Sequence, residues 1–324
     1  MSTLSIWAWA LAAVAMIPEA AAQRNVDDSY TIGQRFAQYQ GKYPGIAWAP
    51  VTWREGQSVL FDRPYKNTGT RDLHIDIFKA APGIAAKGQG ILLVHGGGWS
   101  AGNKNHFYAL ANLLAQRGYT VFLPEFRLSP EAPYPAGMTD IGDALAWARA
   151  HAAEFGLSAN RIAVGGASSG GQMASLLAYA GPSGLFGDGK DRRANALVDL
   201  DGVLDFTNPE ALRFENAAGE KSPAARWLGG SYETAPAKWR EASAASHVGA
   251  GAVPTLVVSS GIPRFTQGKD RVLADLDRYH IAHRTFAFEN APHDFWLFEP
   301  WLPRAVAEID GFFTDLVTKE PSAK

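Results

Sequence analysis

An open, parallel-rich α/β sheet covered by helices on both faces is the fold class that this sequence predicts. Three observations predict it. From residue 71 onward, short apolar runs of strand length alternate with longer segments patterned as helices. Several of these runs are apolar throughout, as strands buried on both faces are. Two of them end in glycine-rich turns, His95-Gly96-Gly97-Gly98-Trp99 and Gly166-Ala167-Ser168-Ser169-Gly170-Gly171.

Taken in order, residues 23–56 are irregular and rich in Gln, Tyr, Trp and Gly, and read as a lid-like segment. Residues 71–78 alternate polar and apolar side chains, as a strand with one buried face should. Residues 90–95 form a buried strand and 107–117 a helix that stops at Gly118. The next strand is 119–126, followed by an amphipathic helix over 140–155 that ends at Gly156. Residues 161–165 form the strand that feeds the second glycine turn, and 172–177 open a helix after it. Later strands are expected at 196–200, 255–259 and 284–288, with helices over 270–280 and 305–317. Residues 203–252 lack strand patterning and read as a cap inserted over the site.

With 324 residues, the chain is long enough for one large domain over 23–324. A formal net charge of −2 gives no reason to expect nucleic acid or an anionic membrane as partner. The chain has no cysteine, which excludes disulfides and thiol catalysis. Ile6 to Ile17 is an apolar run of signal-peptide length, and Ala20-Ala21-Ala22 supplies the small residues of a cleavage site. That run is short for a membrane span, and no Lys or Arg precedes it. The expectation is a signal peptide over 1–22, cleaved after Ala22, with a periplasmic or secreted product free of the membrane.

The second turn fits the pattern Gly-x-Ser-x-Gly, in which a sharp strand-to-helix turn exposes a serine hydroxyl. Gly166 and Gly170 frame Ser168, making it the candidate nucleophile; its neighbour Ser169 is not framed in that way. The N–H groups of Gly97, Gly98 and Ser169 are the expected donors to a developing oxyanion. The base must be a histidine. His74 and His151 fall within element patterns, and His280 and His283 flank a helix end. His95 opens the first turn and shapes it. His293 follows the last strand, at the sheet edge where open α/β folds hold their chemistry. The acid is expected between Ser and His in the chain. After the strand 255–259 comes Ser260-Gly261-Ile262-Pro263-Arg264-Phe265, which has no carboxylate where the acid usually stands. Asp270, at the start of the following helix, is the preferred candidate, and Asp201, at the end of the preceding strand, is the alternative. Asp205 and Asp294 fit less well.

These residues also carry a family resemblance. The His-Gly-Gly-Gly-Trp turn, residues 166–171 and the stretch Phe126-Arg127-Leu128-Ser129-Pro130-Glu131-Ala132-Pro133-Tyr134-Pro135 resemble α/β-hydrolases of the hormone-sensitive-lipase and carboxylesterase type. The similarity runs from about residue 70 to the C-terminus. Pro292-His293-Asp294-Phe295-Trp296-Leu297-Phe298-Glu299-Pro300-Trp301, together with Ile262-Pro263-Arg264-Phe265, is similar to a bacterial subgroup of acetyl xylan, feruloyl or pectin esterases. The resemblance implies an α/β-hydrolase fold with an eight-stranded, mostly parallel sheet and a small cap. It also implies ester hydrolysis through an acyl-enzyme, without metal or cofactor. Short acyl (acetyl) or methyl esters of plant polysaccharides or their oligosaccharides are the expected substrates. Trp99 and Trp296 (with Trp301 nearby) are expected to stack on substrate, and Arg264 to bind a carboxylate such as a uronate. An amidase or peptidase using the same residues, or a silent fold that binds a glycan or protein, are the alternatives. The sequence does not fix an oligomeric state.

Overall fold

The computed structural model describes residues 29–319, so the expected signal peptide over 1–22 lies outside the described residues. Eight strands form the main sheet. They are β2 (Val59–Asn67), β3 (Asp72–Phe78), β4 (Gly90–Val94), β5 (Thr120–Pro124), β6 (Ile162–Ala167), β7 (Leu197–Leu200), β8 (Thr255–Ser259) and β9 (His283–Ala287). Their order is β2-β3-β5-β4-β6-β7-β8-β9. The β2/β3 and β3/β5 pairs are antiparallel, and every later pair is parallel. A two-residue ribbon pairs β1 (Ala47–Trp48) with β10 (Phe298–Glu299). The expected eight-stranded, mostly parallel sheet is therefore present.

Side chains of β4, β5, β6, β7 and β8 are buried without exception, which accounts for their continuous apolar character. Alternation along each strand sends side chains to two cores. Leu92, Val94 and Val164 pack on one face with α3 (Ala136–Ala150) and α4 (Ser169–Ala180). Ile91, Leu93 and Val198 pack on the other with α2 (Tyr108–Ala115) and α9 (Trp301–Lys319). The strand β2 had no pattern to betray it, because none of its residues is buried. It is an edge strand that tolerates Pro64.

Residues 203–252 follow the C-terminal end of β7 and hold three short helices, α5 (Pro209–Ala218), α6 (Pro223–Leu228) and α7 (Pro236–Ala242). Each begins with proline, whose fixed φ and missing N–H suit the first helical position. The described part of the N-terminal segment forms α1 (Ile32–Tyr39) and β1. It packs against the chain that follows His293: Phe36 and Tyr39 meet Phe298, and Tyr43 meets Trp301. Among the described residues, no helix is long and apolar enough to cross a membrane.

Candidate active site

Ser168 sits between the end of β6 and the first turn of α4, with φ 55° and ψ −126°. This backbone conformation is costly for a residue with a Cβ and persists only where the surroundings enforce it. The two flanking glycines show how. A Cβ on Gly166 would lie 2.3 Å from the Gly170 carbonyl oxygen, and one on Gly170 would lie 2.0 Å from that of Val94. Strand and helix approach so closely that only glycine fits, and the Ser168 side chain is held at the C-terminal edge of the sheet.

The first glycine turn packs directly on this elbow, since a Cβ on Gly96 would stand 2.8 Å from the Ala167 carbonyl oxygen and 3.0 Å from Ser168 Cβ. Gly97, Gly98 and Trp99 all have positive φ. Among the described residues, no acceptor takes the N–H groups of Gly97, Gly98 or Ser169. Burial pushes the His95 imidazole down to about 3, and it stays neutral, with Nδ1 2.8 Å from the Gly96 carbonyl and its ring stacked on Phe126. It shapes the turn.

His293 meets Ser168. Its Nε2 is 2.8 Å from Ser168 Oγ, and its Nδ1 is 2.9 Å from Asp201 Oδ2. Asp201 follows β7, is fully buried, and also accepts the Ser260 N–H at 2.8 Å and the Ser260 hydroxyl at 2.5 Å. The preferred acid, Asp270, does not take this position. It is exposed in the first turn of α8 (Lys269–Arg278), and its alternative, Asp201, is the carboxylate at His293. The physical reason lies at Ser260. It stands where the acid was sought, and its N–H and hydroxyl reach across to a carboxylate on the neighbouring strand. The absence of an acid after β8 is the sequence signal, and Ser260 beside it is the compensating residue. Asp205 instead pairs with Arg271, and Asp294 with Arg35.

A second carboxylate, Asp199, lies fully buried in β7, two residues before Asp201. Burial first, and then the charge of Asp201, push its carboxyl well above the ordinary carboxylate range. Its Oδ2 accepts the Gly202 N–H at 3.3 Å.

The tryptophans expected to stack on substrate are core residues. Trp99 is buried, stacks on Trp227 at 5.1 Å, and donates its Nε1–H to Gln172 Oε1 at 3.0 Å. Trp296 is only 1% exposed and stands edge-on to His293 at 5.2 Å. Both assignments are therefore corrected: the two side chains are buried in the core, Trp99 8% and Trp296 1% exposed. Trp301 is likewise buried, its Nε1–H donated to the Asn290 carbonyl. The ring that does cover the imidazole is Phe265, stacked on His293 with centroids 3.4 Å apart. Arg264, next to it, is exposed and lies over Phe214 and Phe265. Among the described residues no carboxylate pairs with it.

Comparison with known proteins bears on the family and the fold. The family model described as BD-FAE matches residues 75–262. The probable carboxylic ester hydrolase LipM of Mycobacterium tuberculosis is 35% identical over 140 residues, 41% of this chain and 32% of LipM. This chain thus spans about a third of that relative's length. Among solved structures, the esterase LipW from Mycobacterium marinum matches with a TM-score of 0.65 and 25% identity, covering 90% of this chain and 88% of LipW. A truncated carbohydrate esterase from gut microbiota matches with a TM-score of 0.65 and 17% identity, covering 81% of this chain and 97% of that one. The fold is that of the α/β-hydrolases.

Proposed function

The chain belongs to the BD-FAE family, and from that membership and the Ser168–His293–Asp201 array we propose that it is a serine carboxylic-ester hydrolase acting through an acyl-enzyme. The single observation that carries the reading is the continuous hydrogen-bonded path from Ser168 Oγ through His293 to a buried carboxylate. The similarity to proteins named as esterases supports it.

The geometry suits the chemistry. His293 Nε2 takes the proton of Ser168 as Oγ bonds to the ester carbonyl carbon. Negative charge collects on the carbonyl oxygen, where the N–H groups of Gly97, Gly98 and Ser169 stabilise it. Collapse breaks the bond to the alcohol, which leaves with the proton from His293. Water, deprotonated by His293, then attacks the acyl-enzyme, and the proton returns to Ser168 as the acid departs. Asp201 holds the imidazole in orientation and stabilises its protonated form.

Within this reading, the substrate is a short acyl or methyl ester on a plant polysaccharide or oligosaccharide. The cap packs closely on the first glycine turn: Pro223 of α6 comes against Gly98, and Trp99 stacks on Trp227. A short acyl chain is the reading that fits this close packing. The test is hydrolysis of p-nitrophenyl acetate, butyrate and octanoate by wild type, Ser168→Ala and His293→Ala, then of acetylated xylan and methylated pectin. Activity confined to the short esters, lost in both variants, and followed by release of acetate or methanol from the polymer is expected. Preference for octanoate would contradict the short-acyl reading, and no ester hydrolysis by the folded protein would contradict the whole.

A further inference from the structure

Next to His293 in sequence is a buried carboxylate that the proposed reaction does not use. Asp294 has no exposed surface, yet it is ringed by donors from the N-terminal segment. Its Oδ1 accepts the Tyr30 hydroxyl at 2.5 Å, and its Oδ2 accepts Arg35 Nε at 2.7 Å and the Tyr39 hydroxyl at 2.6 Å. Arg35 also donates from Nη2 to the Tyr39 oxygen and from Nη1 to Gln38, so its guanidinium is fixed in turn. These three residues lie more than 250 positions from Asp294 in the chain. Further along, the segment is zipped to the same loop by pairing of Ala47 with Glu299 and Trp48 with Phe298.

Such a network is more than a turn requires. A buried carboxylate is costly unless paired and hydrogen-bonded, and this one is satisfied entirely from another part of the chain. The loop is also held at His293 by Asp201 and Ser168, and the Asp294 network adds a second anchor on the side of the N-terminal segment. We propose that Asp294, clasped by Tyr30, Arg35 and Tyr39, is a positioning residue that fixes the His293 loop and lends its charge to the imidazolium formed during catalysis. The inference rests on His293 being the base of the proposed hydrolysis.

The charged and titratable groups facing Asp294 are Arg35, Tyr30 and Tyr39 from the N-terminal segment, His106 from the turn before α2, and His293 on its own loop. Burial opposes ionisation of Asp294, but His293, Arg35 and the two tyrosine hydroxyls outweigh it and hold the carboxyl below its ordinary range. Burial pushes His106 down to about 4, so it stays neutral through the working range of the assay. The Coulombic attraction between Asp294 and a protonated His293 acts on both partners.

The experiment compares wild type, Asp294→Asn and the double variant Tyr30→Phe/Tyr39→Phe in the p-nitrophenyl acetate assay, with Ser168→Ala alongside. Asp294→Asn keeps the size and most of the bonding capacity but loses the charge. It is expected to lower kcat by about tenfold with KM little changed, and to move the acid limb of kcat/KM to lower pH by about half a unit or more. The double variant keeps the carboxylate and loosens the clasp, so it is expected to lower kcat with a smaller displacement of that limb. A folded Asp294→Asn protein with kcat within about twofold of wild type and an unmoved acid limb overturns the inference. Should Asp294→Asn not fold, the double variant decides: unchanged kcat there overturns it equally. Wild-type hydrolysis that survives Ser168→Ala counts against the proposed reaction itself, and so is distinguished from failure of the clasp.

Discussion

Asp201 Oδ2 lies 2.9 Å from His293 Nδ1 although 92 residues separate the two in sequence. Asp201 reaches this position with φ 54°, a left-handed backbone conformation that a residue with a Cβ adopts at a cost. The strain is held by β7 on one side and by the two donors of Ser260 on the other.

That relationship predicts how activity divides between the two carboxylates considered for the triad. Asp201→Asn is expected to lower kcat on p-nitrophenyl acetate by roughly 10³–10⁴, because the wrong tautomer of His293 is then favoured. Asp270→Asn, altering an exposed helix residue, is expected to change it less than about twofold. Ser260→Ala removes one of the donors to Asp201 and is expected to cost about tenfold. Steady-state kinetics of the three variants, with near-ultraviolet circular dichroism to verify folding, checks the ranking. A larger loss in Asp270→Asn than in Asp201→Asn would reverse it.

Asp199 supplies a stability prediction. Its carboxyl is raised in the folded protein, so the folded state binds this proton more tightly than the unfolded chain does. Its contribution to stability is therefore greatest below the unfolded value of about 3.9 and is lost as pH climbs towards the raised folded value. Asp199→Asn, which cannot ionise, escapes that loss. Thermal melts at pH 4.5 and pH 8 are expected to show the variant gaining on wild type at the higher pH. A gain that is equal at both, or larger in acid, would mean that Asp199 is ionised in the fold.

At the mouth of the site, Arg264 offers an exposed positive charge beside the ring that covers His293. Arg264→Ala is expected to lower kcat/KM about fivefold on uronate-bearing esters, the scale of one solvent-exposed charge pair, while neutral acetyl esters are unaffected. Parallel assays on methylated pectin and acetylated xylan measure this, and equal losses on both would remove any role for Arg264 in selecting charge.

The elbow itself predicts intolerance at Gly170. A Cβ there meets backbone oxygens of Val94 and His95 at 2.0 and 2.3 Å, and neither can move without breaking β4 from the first glycine turn. Gly170→Ala is expected to destabilise the protein by about 3 kcal/mol or more. Gly41→Ala, with nothing within 4 Å of the new atom, serves as the neutral comparison. Chemical denaturation of both variants gives the difference directly.

How much of this was legible in the sequence follows from which residues carry local signals. Ser168 and the glycine turns were readable because close backbone approach leaves glycine at fixed spacing, and His293 because it follows a strand. The central strands were readable from burial on both faces, whereas β2, buried on neither, left no pattern. Asp201 could not be chosen over Asp270, since both follow a strand and precede His293; only the pairing of β7 beside β8 brings Ser260 to the right carboxylate. Trp99 and Trp296 were misread for a related reason. An aromatic near a catalytic residue in sequence gives no indication of which side of the loop it faces, and both face inward. The clasp of Asp294 by Tyr30, Arg35 and Tyr39 had no local signature, because its partners lie at opposite ends of the chain.

The most direct test of the central claim is peptide mass mapping after treatment with diethyl p-nitrophenyl phosphate, which traps an activated serine as a stable phosphoryl ester. One diethylphosphoryl group per chain is expected, on Ser168, in step with loss of esterase activity, and no labelling of His293→Ala on the same timescale. Labelling at another residue, or full activity retained by a protein labelled at Ser168, would contradict it.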